Sequence, residues 1–220
     1  MRILVTGFEP FGSDSENASG ETVARLRERW SDPAIELVTA ILPVSFAGAP
    51  ARLVELLAEH RPDAVLALGE AGRRAAVTPE RGARNLIDAR IPDNDGAQPR
   101  GVPIDDGPER RAARFDVDAM VDAIRAVGVR AEASDDAGGF VCNRIAYELA
   151  RSELPGGFLH VPAARSRGVA TVGAETGGAA GAAGATGARA RAAAAALGFD
   201  ELARAAEAAV RSLAEGVAAR

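Results

Sequence analysis

The chain has a single cysteine, two histidines and few aromatic residues, which make up 4% of its 220 positions. One cysteine excludes an intrachain disulfide and a multi-cysteine zinc site. No run approaches the roughly 18 consecutive apolar residues of a membrane-spanning helix, so no membrane partner is expected. Basic residues are not in excess: 26 Lys and Arg stand against 31 Asp and Glu, for a net charge of −5 and a pI near 5.2. That balance argues against nucleic acid as a partner, because such binding needs a clustered basic face. Residues 1–8 are apolar but too short for the core of a signal peptide, and no small-residue cleavage pattern follows. The expectation is a cytoplasmic, soluble protein. Neither a Gly-x-Gly-x-x-Gly nor a Gly-Lys-Ser/Thr pattern occurs, so there is no phosphate loop.

Other features are plainly present. With 47% hydrophobic and 26% charged residues, the composition is that of a globular chain long enough to bury one sizeable core. Short apolar runs at 3–5, 35–42, 64–68 and 158–161 read as strands, with a weaker candidate at 129–134. Helical patterns occupy 21–29, 46–60, 117–127 and 142–151, and a last apolar stripe runs through Leu202, Ala206, Val210, Leu213 and Val217. Ser45 is a candidate cap for the second of these, with Leu53, Val54, Leu56 and Leu57 as its buried stripe. His60, in that helix's last turn, complements the helix dipole. Thr78-Pro79-Glu80 reads as the start of a further helix. Strands alternating with helices imply an open, mainly parallel, twisted α/β sheet with helices on both faces, an α/β/α sandwich. Residues 1–220 form one domain on this reading. A Gly/Ala-rich stretch near 168–187 lacks the apolar bulk to pack and is expected to be a mobile loop, with a helix at 189–197.

Chemistry concentrates where Gly-rich loops follow strands. After the first strand comes Gly7-Phe8-Glu9-Pro10-Phe11-Gly12, carrying two of the seven phenylalanines. These rings either fold into the core or line an apolar pocket at the strand's carboxyl end. The long turn-rich connection from about 91 to 109 is of a length usually kept for function. Cys142 follows the Gly138-Gly139 turn at the apparent start of a helix, and His160 ends a short apolar run. A helix N-terminus and a neighbouring histidine are what a cysteine nucleophile needs. The Cys142 backbone N–H would face a developing oxyanion, and a carboxylate such as Glu80 could orient the imidazole. The alternative is an inert buried thiol, the commoner fate of a lone cysteine.

Three separated blocks resemble pyroglutamyl peptidase I, the pyrrolidone carboxyl peptidase family of cysteine peptidases. They are Val5-Thr6-Gly7-Phe8-Glu9-Pro10-Phe11-Gly12; Pro79-Glu80-Arg81 with Asp88-Ala89-Arg90-Ile91-Pro92-Asp93-Asn94; and Ser134-Asp135-Asp136-Ala137-Gly138-Gly139-Phe140-Val141-Cys142-Asn143 with His160-Val161-Pro162. The resemblance implies that Cys142 is the nucleophile, His160 the general base and then acid, and Glu80 its orienting partner. It implies Phe8, Phe11, Ile91, Phe140 and Val141 around a lactam ring, Arg90 near the oxyanion, and Glu70 acting chiefly through its backbone. The substrates it implies are peptides with an N-terminal pyroglutamate, with no metal or organic cofactor and a homo-oligomer, dimer or tetramer, as the assembly. Alternatives left open are another Cys-His-Glu hydrolase, such as a glutaminase-type amidase, and a catalytically silent pyroglutamate-binding protein. The chain departs from the family pattern at Glu70 (commonly Gln or apolar), at Arg73 (commonly Gly), at Gly12-Ser13 (a Gly-Gly pair) and throughout 165–196.

Overall fold

A computed structural model describes residues 1–167, 170 and 196–220. The Gly/Ala-rich stretch expected to be mobile, and most of the helix expected at 189–197, lie outside these residues. Strands β1 (Arg2–Phe8), β2 (Glu36–Leu42), β3 (Ala64–Glu70), β4 (Thr78–Pro79) and β7 (Gly156–Val161) form one sheet in the order β2-β1-β3-β7-β4. The first four in that order run parallel, and β4 pairs antiparallel with β7. A small antiparallel ribbon joins β5 (Gly82–Arg84) to β6 (Arg110–Ala112), an element with no signal in the residue pattern.

Helices cover both faces because the central strands are apolar on both. One face of the sheet packs against α1 (Ala18–Arg29), α3 (Val117–Ala126) and α5 (Phe199–Ala218), through Ile3, Leu66, Leu26, Met120 and Val210. The opposite face packs against α2 (Gly48–His60) and α4 (Val141–Arg151), through Leu4, Val65, Leu53, Ile145 and Phe158. Burial of these side chains supplies most of the driving force, at roughly 1.5–3 kcal/mol for each fully buried large one. The expected α/β sandwich is therefore observed.

Several local expectations need correction. Thr78 and Pro79 do not start a helix: they form β4, fully buried on β7, with Thr78 opposite His160 and Pro79 opposite Leu159. Proline is tolerated because β4 is the edge of the sheet, where a missing N–H breaks no ladder. Residues 129–134 make no regular strand but bridge onto this edge at Val77–Ala131 and Glu80–Ser134. The first helix begins earlier, at Ala18, because Asn17 caps it by accepting from Ser19 N at 3.0 Å. Ser45 Oγ does accept from Gly48 N at 2.8 Å, but the helix starts at Gly48 itself. Val54 is 64% exposed and does not belong to its stripe. No helix among the described residues is long and apolar enough to cross a membrane.

Gly156 marks the tightest approach in the sheet. Its φ of 141° lies in a region that side chains disfavour, and a Cβ there would come within 1.9 Å of the Val65 carbonyl oxygen. Gly156→Ala is expected to lower unfolding stability by at least about 2 kcal/mol, read from urea melts.

Candidate active site

β7 carries His160 with its side chain on the α4 face. In the β3–β7 ladder His160 is the partner of Gly69, and partners in a parallel pair share a face. A Cβ built on Gly69 would lie 2.8 Å from Cys142 Sγ and 2.6 Å from the Phe158 ring. The thiol therefore occupies the space a side chain at position 69 would have filled, on the sheet face that carries the imidazole. Only glycine permits this.

Helix α4 delivers the thiol. Its N-cap is Phe140, which makes no side-chain cap, so the first backbone N–H groups remain free to meet an anion. Cys142 is the second residue of the helix, in the zone of positive dipole potential. The next residue locks the helix in place: Asn143 is fully buried, accepts from Arg84 N at 3.0 Å and donates to the carbonyls of Arg84 at 2.9 Å and Leu86 at 2.8 Å. The turn before the helix is pinned in turn, with the Gly139 carbonyl accepting from Asp88 N at 2.8 Å.

Behind His160 stands Glu80, placed by β4. His160 Nδ1 and Glu80 Oε1 are 2.7 Å apart, with both side chains buried. At that distance from a carboxylate Nδ1 carries the proton, leaving Nε2 as the basic nitrogen. Arg74 forms an ion pair with the same oxygen at 2.7 Å, and donates to Thr78 Oγ1 and to the Asp136 carbonyl. Burial works against the Glu80 carboxylate, but the His160 hydrogen bond and the Arg74 charge outweigh it and hold its pKa below the usual range. For His160 burial wins, and its pKa is pushed below 6.5 despite Glu80. Burial, reinforced by the Glu80 charge, pushes the Cys142 thiol up to about 12. Burial thus disfavours the charged form of both thiol and imidazole.

These groups open onto a cavity of about 360 Å³. Every residue expected around a ligand lines it: Phe8, Phe11, Glu70, Arg90, Ile91, Phe140 and Val141, along with Cys142 and His160. Glu80 lies one layer behind. The two readings of the early phenylalanines merge, since Phe8 is buried in the core and still faces the cavity. Phe11 packs on Phe140 at 5.1 Å between ring centroids, and Phe46 meets Phe140 edge-on at 5.0 Å. The long connection after β5 is held to this wall by Asn94, which donates to Glu9 Oε1 at 2.8 Å and to the Pro10 carbonyl at 3.0 Å. Sequence reasoning missed Arg74, Asn143 and Arg165. Asn143 adjoins the cysteine and could have been found there, whereas the two arginines carry no local signal. His60 stays in the last turn of α2, away from the cavity. Among the described residues no cluster of His, Cys, Asp or Glu could hold a metal ion.

A thiol at a helix N-terminus, an imidazole beside it and a buried carboxylate behind, on a mainly parallel α/β sheet, define the class: a cysteine hydrolase. A family profile described as pyroglutamyl peptidase matches residues 1–181. A pyrrolidone-carboxylate peptidase of Streptococcus suis is 44% identical over 169 residues, covering 74% of this chain and 78% of the relative. The crystal structure of pyroglutamyl peptidase I from Bacillus amyloliquefaciens superposes with a TM-score of 0.78 at 33% identity, covering 97% of each chain. The pyrrolidone carboxyl peptidase of Thermococcus litoralis does so with a TM-score of 0.80 at 30% identity, covering 100% of this chain and 96% of its own. The chain belongs to the pyroglutamyl peptidase family.

Asn143→Ala would leave three part-buried backbone groups around β5 without this partner, at about 1–3 kcal/mol each when unrelieved. The expected result is a loss of about 3 kcal/mol in urea unfolding, together with faster alkylation of Cys142 as α4 loosens.

Proposed function

We propose that this protein removes the N-terminal pyroglutamyl residue from peptides with Cys142 as nucleophile, His160 as general base and acid, and Glu80 as the group that orients the imidazole. The observation that carries the assignment is the thiol seated over Gly69 beside the His160–Glu80 pair. Because burial disfavours both thiolate and imidazolium, proton transfer accompanies attack. Cys142 Sγ adds to the pyroglutamyl carbonyl carbon as its proton passes to His160 Nε2. The oxyanion is met by the Cys142 backbone N–H at the start of α4, with Arg90 beside it. Collapse breaks the C–N bond, and the leaving amine takes the proton from His160, giving a thioester. Water then loses a proton to His160, attacks the thioester and releases pyroglutamate, and the proton returns to sulfur.

The pocket chemistry fits a flat, neutral lactam. Phe8, Phe11, Phe140, Ile91 and Val141 offer apolar and aromatic surface to the ring, and the end of β3 at Glu70 offers backbone groups to its N–H and C=O. An uncyclised N-terminal Glu or Gln would bring an ammonium against these rings without a partner, which is costly. The same charge disfavours free glutamine, so a glutaminase-type activity is not supported. A free thiol nucleophile suits a reducing compartment, which supports a cytoplasmic location. Family resemblance supports a homo-oligomer, dimer or tetramer.

Cys142→Ala should fold normally and lose hydrolysis of a pyroglutamyl-arylamide by about 10³-fold or more. Turnover at the wild-type rate in this variant would sink the assignment. The pH dependence follows from His160. A base with a depressed pKa remains competent below 6.5, so the acid limb of kcat/KM should fall below pH 6.5. Glu80 raises the His160 pKa, so Glu80→Gln should move the limb further toward acid while lowering kcat about 10²-fold. An acid limb above pH 7, or one unmoved by Glu80→Gln, would contradict the orienting role.

A further inference from the structure

Two of the chain's departures from its family meet in space. Glu70, at the end of β3, and Arg165, just after β7, form a two-pronged ion pair: one guanidinium nitrogen lies 2.7 Å from Glu70 Oε2 and the other 2.8 Å from Oε1. The second nitrogen also reaches Asp14 Oδ2 at 2.6 Å. The three side chains are only 7%, 8% and 7% exposed for Arg165, Glu70 and Asp14. Glu70 Oε2 additionally accepts from Ala18 N at 2.6 Å, at the start of α1, and Ser166 N donates to Glu16 at 2.7 Å. All of these residues except Ala18 and Ser166 line the cavity.

We infer that Arg165 is a positioning residue for the lactam pocket: it clamps the chain leaving β7 onto the β1–α1 loop and offsets part of the negative charge that Glu70 and Asp14 bring to the cavity wall. The inference rests on the pyroglutamyl-peptidase reading for the identity of the ligand, though not for the clamp itself. A carboxylate at position 70 would otherwise stand at the strand end that receives a neutral ligand, and would compete for its N–H. It would also oppose a thiolate, since Glu70 is already among the charges that push the Cys142 thiol up, alongside Glu80 and against Arg74. Removing one member of a sheltered ion cluster leaves the others uncompensated, whereas removing an opposite pair together leaves the net charge of the cluster as it was. Glu70 and Arg165 are thus expected to behave as one unit in a double-mutant cycle.

The test compares wild type, Glu70→Gln, Arg165→Met and the double variant. Two readouts are used: KM against kcat for a pyroglutamyl-arylamide, and the rate at which iodoacetamide alkylates Cys142, the sole thiol. Arg165→Met should raise KM about tenfold with kcat changed by no more than about threefold, and slow alkylation. Adding Glu70→Gln should bring both quantities most of the way back, which a merely structural role for Arg165 would not do. Wild-type KM and alkylation in Arg165→Met, or a double variant no better than it, would overturn the inference. Should Arg165→Met give no folded protein, recovery of folded protein in the double variant supports the clamp, and failure to recover overturns it. Alkylation needs no substrate. A wild-type enzyme without pyroglutamyl turnover would therefore defeat the functional reading while the alkylation comparison still judged the clamp.

Discussion

The pairing of β7 between β3 and β4 is the constraint from which the rest of the site follows. On one side its register puts Gly69 next to His160, and the missing side chain at 69 makes the space in which Cys142 Sγ sits. On the other side the antiparallel pairing sets Thr78 opposite His160, and Glu80 follows two residues later with its N–H on the Phe158 carbonyl at 2.9 Å. A shift of either ladder by one residue would turn alternate side chains to the other face. Imidazole, thiol and carboxylate are therefore aligned by backbone hydrogen bonds on both sides of one strand, and the side chains need little adjustment of their own.

Charge around the cavity is matched locally. Arg74 and His160 share one oxygen of Glu80, and Arg165 bridges Glu70 and Asp14. With those charges paired, the rings of Phe8, Phe11 and Phe140 face the cavity together with Cys142 and His160, alongside charged side chains such as Arg73, Asp88 and Arg90. The aromatic part of this lining suits a substrate end that carries no charge. The positive end of α4 opens onto the same cavity, where it favours negative charge.

Much of this was legible in the residues. The apolar runs at 3–5, 64–68 and 158–161 are short because each is a strand buried on both faces, and they mark β1, β3 and β7 with errors only at their ends. The blocks around Phe8, Arg90 and Cys142 carry the pocket because loops at strand ends hold binding groups in such sheets. Where the reading failed, a local signal had a tertiary competitor. Thr78-Pro79-Glu80 has the composition of a helix start, yet it lies along an open sheet edge where proline does no harm. Val54 fits a helical stripe, yet it points away from the sheet. The β5–β6 ribbon has no periodic pattern, since its strands are three residues long.

The chain by itself determined the fold class, the family and the residues proposed to react, because strand and helix periodicity and the motif blocks are local properties. Tertiary structure alone decided how those residues meet. His160 finds Glu80 from 80 residues away, and Arg165 finds Glu70 and Asp14 from 95 and 151 residues away. Contacts at such separations leave no local pattern. In the sequence Glu70 is an unexplained charge beside a neutral pocket; in the folded protein the same carboxylate is one arm of a sheltered ion cluster, because the chain leaving β7 returns an arginine to it.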